Sequence, residues 1–280
     1  MITKENVLQI KISNISKDNY RKNLSIQFSL DGFSFCISNL VTKEIHYFES
    51  HPFKDSCKNP EELLTKIEQI VAATTLLNQE FESVLLIHQN NLATLVPTSL
   101  FDDQNLESYL KFNIKTFPSD FIAFDTLEQD TIKNVYIPYV NINNFFFQKY
   151  GAFEYKHQST VLIDKLILQT KNSQQDHFYV HIEKNQMDIV VLKSGHLELY
   201  NSFLYATKED ALYYILFTAE QLSLNPEEFE LCFTGWIDLD SELYAFAYQY
   251  IRNISFLNSS NSFFEQNNSV NPHHYFISTP

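Results

Sequence analysis

The sequence is short of glycine. Four occur in 280 residues, Gly32, Gly151, Gly195 and Gly235, where average composition would supply about twenty. That scarcity excludes a G-x-G-x-x-G dinucleotide fingerprint and a G-x-x-x-x-G-K-[ST] phosphate loop. It also excludes a G-x-S-x-G nucleophile elbow and a glycine-rich kinase loop. Arginine is scarcer still. Arg21 and Arg252 are the only two among 20 basic residues, set against 34 acidic ones for a net charge of −14. The nearest thing to a basic cluster, Lys17, Arg21 and Lys22, is too small to displace counterions from a polyanion. Neither nucleic acid nor an anionic membrane is therefore an expected partner. The three cysteines, Cys36, Cys57 and Cys232, are odd in number and form no C-x-x-C pair. That argues against a disulfide framework or a zinc knuckle, and the two in apolar strand-like runs read as buried small hydrophobes. The first ten residues lack the apolar core of a secretory signal. No run approaches the roughly 18 apolar residues of a membrane span, so a cytoplasmic protein is expected. Triplets such as Asn14-Ile15-Ser16 then read as chance rather than as glycosylation sites.

What the chain has in quantity is aromatic rings, 25 Phe and 16 Tyr with a single Trp. Rings can fill the core volume that branched aliphatics usually supply. Phe145-Phe146-Phe147 and Phe263-Phe264 are too closely spaced to point one way. Three successive helical residues cover about 200° of arc, so one ring of the triplet belongs near the surface. Either these rings fill the space between subdomains, or they form a protein-binding patch.

The alternation of apolar residues places strands at 24–30, 33–40 and 44–50, an opening three-strand meander with an Asp31-Gly32 hairpin turn of type I′ chemistry. Asn59-Pro60-Glu61-Glu62 opens a helix with an N-cap, a first-turn proline and two acids, and helical spacing carries it to Gln79. A buried strand follows at 83–88. The middle section reads as strand 91–96, helix 103–112, strands 121–127 and 134–139, a helix 141–150 ended by Gly151, strand 152–157 and helix 159–170. The polar run Lys171 to Asp176 marks the main boundary. After it, strands at 177–184, 187–193 and 196–203, with a turn at Ser194-Gly195, repeat the opening order. A Thr207-x-x-Asp210 capping box then opens a helix, followed by strand 228–234, a helix at about 239–250 and a strand at 253–257. Each half therefore runs β-β-β-α-β, an internal duplication of element order. The expected domains are residues 1–171 with an inserted section at about 91–157, residues 177–258, and a polar tail at 259–280 in which 274–278 docks as a strand.

Two tandem β-β-β-α-β units resemble the actin-like ATPase superfamily of actin, sugar kinases and Hsp70. The resemblance is carried by Leu24 to Asn39, by Phe178 to Tyr200, by the helix after Thr207 and by Glu228 to Gly235. The fold class it implies is α/β, an actin-like (ribonuclease H-like) tandem duplication with mixed sheets and an inserted small α+β section. That section is similar to the extra subdomain of bacterial pilus-assembly and cell-division actin homologues. Closest of all, the chain resembles an uncharacterised bacterial family with an actin-like fold.

In active members of the superfamily, ATP and Mg²⁺ are held by turns that need an Asp for the ion and Gly with Ser/Thr for close phosphate approach. The resemblance places those turns at Asp31-Gly32-Phe33, at Glu183-Lys184-Asn185 and at Thr234-Gly235-Trp236. Phe33 stands where a small hydroxyl residue belongs, the second turn has no glycine, and the third has one glycine followed by Trp236. As plain structure, the first is a hairpin turn and the third a strand-to-helix turn. The expectation is a degenerate nucleotide site and no cofactor.

Other chemistry is thin. His177 and His181 on one strand lie about 13 Å apart, too far for one metal. His273-His274 has no acidic or thiol partner at ligand spacing. Asp238, Asp240 and Glu242 form an acidic cluster with two readings, a cation site, or a helix cap at Asp238 with the other two in the first turn, and the second is the one expected. Asp102-Asp103 reads the same way, and Asp164 as a solvated acid in its helix or, as the resemblance implies, an acid at the edge of the cleft. No Ser/His/Asp or Cys/His set has favourable spacing. Two functional classes follow. One is a non-catalytic scaffold or regulator that binds protein partners, including a second copy of itself. The other is an ATP-binding or ATP-hydrolysing assembly factor or kinase with divergent loops.

Overall fold

The computed structural model describes residues 10–13, 20–129, 131–171, 173, 175–257, 262–265 and 271–280. The Asn14 triplet, Lys17, Asn172 and Gln174 lie outside the described residues. The chain forms two units, residues 1–161 with 277–280, and residues 162–276.

In the first unit, β1 (Ile10–Ser13), β2 (Lys22–Ser29), β3 (Gly32–Asn39) and β4 (Ile45–Pro52) precede helix α1 (Pro60–Ala73) and β5 (Ser83–His88). Strand β6 (Ala93–Pro97), helix α2 (Leu106–Leu110), β7 (Ala123–Thr126) and β8 (Ile132–Tyr136) make the inserted section, which is followed by α3 (Val140–Tyr150) and β9 (Glu154–His157). Helix α4 (Gln158–Thr170) carries the chain into the second unit. There β10 (His177–Ile182), β11 (Gln186–Lys193), β12 (His196–Leu204), α5 (Lys208–Gln221), β13 (Glu230–Gly235), α6 (Glu242–Ala247), β14 (Asn253–Phe256) and α7 (Ser262–Glu265) follow.

The main sheet of the first unit is ordered β1-β4-β3-β2-β5-β9, and that of the second β12-β11-β10-β13-β14. Apart from β1 the two are wired alike. Three antiparallel strands come first, then two parallel neighbours. A parallel neighbour needs a crossover connection, and α1 and α5 lie in the two equivalent connections. The duplication of element order is thus a duplication of topology. The inserted section is a three-stranded sheet, β6-β8-β7, with its own core of Val96, Leu110, Val135 and Ile137.

Helix signals held where the side chains make them. Asn59 accepts from the Glu62 N–H at 2.9 Å with Pro60 in the first turn, and Thr207 and Asp210 form both halves of their capping box. Helix α1 ends earlier than its apolar spacing predicts, at Ala73, and a 3₁₀ turn at Thr75–Asn78 completes the run. Helix α6 is also shorter, because Asp238 to Asp240 form a turn and Ser241 is its N-cap.

Several expectations need correction. Strand β1, four residues long on the edge of β4, was not foreseen. The first hairpin loop is Leu30-Asp31, since Ser29 pairs with Gly32, and neither loop residue has positive φ. Gly32 is a strand residue whose missing Cβ leaves room for the β4 backbone, 3.3 Å from the His51 carbonyl oxygen. The left-handed pair that a type I′ turn requires is instead Ser194-Gly195, at φ 50° and 78°. Residues 272–275 form a 3₁₀ turn, so 274–278 is not a strand. Phe263 and Phe264 are both buried and offer no patch. In the triplet Phe146 is buried and Phe147 exposed, as the helical arc requires.

A buried polar cluster ties the inserted section to the edge of the first unit's sheet. Asp125 of β7 accepts from the His157 backbone N–H at 2.8 Å, from Thr160 Oγ1 at 2.7 Å and from Tyr136 Oη at 3.0 Å. The His157 ring meets Ser159 Oγ at 2.7 Å and the Asn90 carbonyl at 3.0 Å. Asp, His and Ser are therefore close, but Asp125 holds the histidine's backbone, and all three side chains are buried. The cluster is structural cement, with His88 beside it bonded to Asn143 at 2.9 Å.

Burial lowers His88 to about 3 and His157 to about 4. Both imidazoles stay neutral in the fold while the unfolded chain takes up protons below pH 6.5. Stability is therefore lost as pH falls from 6.5 towards 4, by up to about 1.4 kcal/mol per pH unit per histidine. Asp125, raised by burial, opposes this with one proton against two. We expect urea unfolding to show this slope and His88→Gln to flatten it; equal slopes would refute the assignment.

A second prediction concerns the glycines. A Cβ on Gly235, at φ 81°, would lie 2.2 Å from the Ile182 carbonyl oxygen, whereas one on Gly151, at φ 74°, meets nothing. Gly235→Ala should cost about 3 kcal/mol or more and Gly151→Ala about 1 kcal/mol in chemical denaturation.

Candidate functional site

The three turns singled out in the sequence are placed by strand ends. In the first, the backbone is already engaged. The Asp31 carbonyl accepts from the Phe53 N–H and the Leu30 carbonyl from the Cys57 N–H, each at 2.7 Å. The Asp31 N–H donates to Ser29 Oγ at 3.1 Å, and its carboxylate accepts from Ser56 Oγ. Phe33 does not line the turn. Its ring is 2% exposed and belongs to the core of the first unit.

The second turn, Lys184-Asn185, closes the β10–β11 hairpin. The Glu183 N–H donates to the Gln186 carbonyl at 2.8 Å, and the Glu183 carbonyl accepts from Tyr205 Oη at 2.6 Å. The Asn185 carbonyl accepts from the Tyr205 N–H at 3.1 Å. No residue of this turn has positive φ.

Behind it lies a constellation that sequence reasoning missed. Strand register sets Ser202, Asp188, His181 and Thr234 side by side across β12, β11, β10 and β13. Paired positions share a face, so this is a polar row through an apolar sheet. His181 Nε2 meets Glu183 Oε1 at 2.9 Å. Asp188 is fully buried, and burial pushes its carboxyl up, against the pull of His181 and hydrogen bonds from Ser202 and Gln186. Tyr200 Oη also reaches Asp188 Oδ1, at 3.2 Å. The row is spread over four strands, so no sequence spacing reveals it. The only local sign is a charged residue in the run Met187-Asp188-Ile189-Val190-Val191.

The third turn is pinned by contact between backbones. Gly235 lies against Ile182, and the Trp236 N–H donates to the Ile182 carbonyl at 2.7 Å. Thr234 Oγ1 donates to the His273 carbonyl at 2.9 Å, which holds the 3₁₀ turn of Pro272–Tyr275 on the end of β13. Trp236, 42% exposed, sits over His274 with ring centroids 5.1 Å apart.

This docking brings Asp238 to His273 and His274. His274 Nε2 lies 2.9 Å and His273 Nε2 3.8 Å from Asp238 Oδ1, while Asn271 Nδ2 donates to the same oxygen. His273 Nε2 also bonds the Ile237 carbonyl at 2.7 Å, and burial lowers its pKa. The two histidines thus do have an acidic partner, and Asp238 is not a helix cap. The N-cap of α6 is Ser241, whose Oγ accepts from the Asp238 backbone N–H at 2.8 Å.

The remaining candidates have no such company. His177 Nε2 bonds Ser173 Oγ at 3.0 Å. Asp102 caps the short 3₁₀ turn after it, accepting from the Gln104 N–H. None of the three cysteines is in a disulfide, Cys36 and Cys57 are buried, and burial pushes the Cys232 thiol up to about 11. Asp164 is half-buried. Two surface hollows, one lined by Glu228, Tyr244 and Arg252 and one by Lys11, Glu49 and His51, take no residue from the three turns. Among the described residues no helix is long and apolar enough to cross a membrane.

Comparison with known proteins agrees with this fold. The chain is similar to a Bacteroides thetaiotaomicron protein with an actin-like ATPase fold and unknown function, 23% identical over 88% of this chain and 94% of that one, with a TM-score of 0.75. It is also similar to a chain of the PilM–PilN type IV pilus biogenesis complex, 10% identical over 91% of this chain and 96% of that one, with a TM-score of 0.58. At such identities the likeness establishes the actin-like ATPase fold alone. No curated protein matches the sequence. Residues 12–254 match the family described as protein of unknown function DUF3822, and the chain belongs to that family.

Proposed function

We propose that this is a non-catalytic actin-like protein that works through contacts with protein partners. The observation that carries the reading is the backbone of the two hairpin turns. An anion nest needs successive N–H groups converging, with one residue in the left-handed region. Residues 30–33 and 183–186 contain no positive φ, and their carbonyls and several N–H groups are already bonded within the fold. Beside the second turn stands the Glu183 carboxylate, whose negative charge opposes phosphate.

A partner surface is offered by the inserted section. Phe112, Phe117, Phe121 and Phe124 are exposed there, with Phe112 at 86%. Four exposed rings within residues 112–124 of one section support a protein contact there. The fold relative in the PilM–PilN complex is itself a partner-bound protein, which is in keeping with this reading. The surface was not legible in the sequence, where Phe145–Phe147 and Phe263–Phe264 drew attention instead.

The test is thermal. A ligand at 100 times its Kd stabilises a fold by about 2.7 kcal/mol, so millimolar ATP with Mg²⁺ should leave Tm unchanged. A clear rise would sink this reading in favour of an ATP-binding assembly factor. If the exposed rings serve contact rather than packing, Phe112→Ser and Phe121→Ser should each shift stability by no more than about 0.5 kcal/mol. A loss of several kcal/mol in either would mean that the ring is part of the fold's packing.

A further inference from the structure

We propose that Asp238, His273 and His274 form a binding site for a zinc ion, which fastens the C-terminal turn to the end of β13. One ligand atom from each residue lies within 4.8 Å of the others. Two ligands about 2.1 Å from a tetrahedral zinc ion stand roughly 3.4 Å apart. The two imidazole-to-Asp238 separations, 2.9 Å and 3.8 Å, bracket that spacing. Two imidazoles and one carboxylate are a donor set suited to zinc.

The surroundings fix the donors as a metal site's outer groups do. Trp236 lies across the His274 ring, the His273 ring stacks on Phe256 with centroids 4.8 Å apart, and Thr234 holds the His273 backbone. Asn271 reaches the Asp238 carboxylate and can steady it when ligated. Neither histidine is exposed, while Asp238 is half-exposed. To bind, both imidazoles carry their single proton on Nδ1, which leaves Nε2 free as the ligand, and the His273 bond to the Ile237 carbonyl and the His274 bond to Asp238 Oδ1 are exchanged for metal–nitrogen bonds.

The site is independent of the proposed function and is tested on the full chain. Protein stripped with EDTA is loaded with Zn²⁺, passed through gel filtration and assayed for retained metal. The wild-type chain should retain one equivalent and gain thermal stability. His196→Gln, at an exposed histidine on β12, should behave the same. Asp238→Asn and His274→Gln should each weaken binding by about 100-fold or more and lose the gain in Tm. His273 is left intact because its ring is part of the packing. Circular dichroism of the metal-free variants separates loss of binding from loss of fold. Should the folded wild-type chain retain no zinc, or the folded variants retain as much as wild type, the proposal is overturned.

Discussion

The contact between Gly235 and Ile182 organises the second unit. A parallel pair of strands ends with one backbone pressed on the other, and only a residue without a Cβ and free to adopt positive φ fits there. From that point the chain turns so that Thr234 faces inward to hold the C-terminal 3₁₀ turn, while Trp236 faces outward over His274. The convergence of Asp238 with the two histidines follows from the same turn. A single side-chain carbon at position 235 would displace all of it.

The fold was legible where one physical rule dominated. Period-two alternation gave β2, β3 and β4 to within two residues at each end, and local caps gave the starts of α1 and α5, because these signals act between residues close in sequence. Strand β1 escaped because four residues on a sheet edge carry almost no pattern of their own. The Asp31-Gly32 pair misled for an instructive reason. Glycine was read as a source of backbone freedom, whereas at Gly32 it provides room for a neighbouring strand.

The candidate sites were less legible, and for the same reason in each case. The row of Ser202, Asp188, His181 and Thr234 exists only once strand register is known. Asp238 and His274 are brought together by a turn that docks on a strand end, across 36 positions of chain. Of the exposed phenylalanines of the inserted section, Phe112, Phe117 and Phe121 lie between α2 and β7 and Phe124 lies on β7, and only folding shows that their rings are exposed. Chemistry of this kind is assembled by tertiary structure and leaves no spacing in the sequence.

One difference between the two otherwise equivalent sheets has a further consequence. In the first unit β1 lies along β4 and covers it. In the second, the corresponding strand β12 is the outermost of its sheet among the described residues. An uncovered strand is a template for pairing with another chain, and folded proteins guard such edges with charge and irregularity. Here the guards are Glu198 and Asn201, both outward-facing, and the bulge between Val191 and Leu192 that breaks the neighbouring register. The second unit thus guards this edge with side chains and a kink where the first has an extra strand. Mutations along β12 that leave the core intact would therefore be felt first as aggregation.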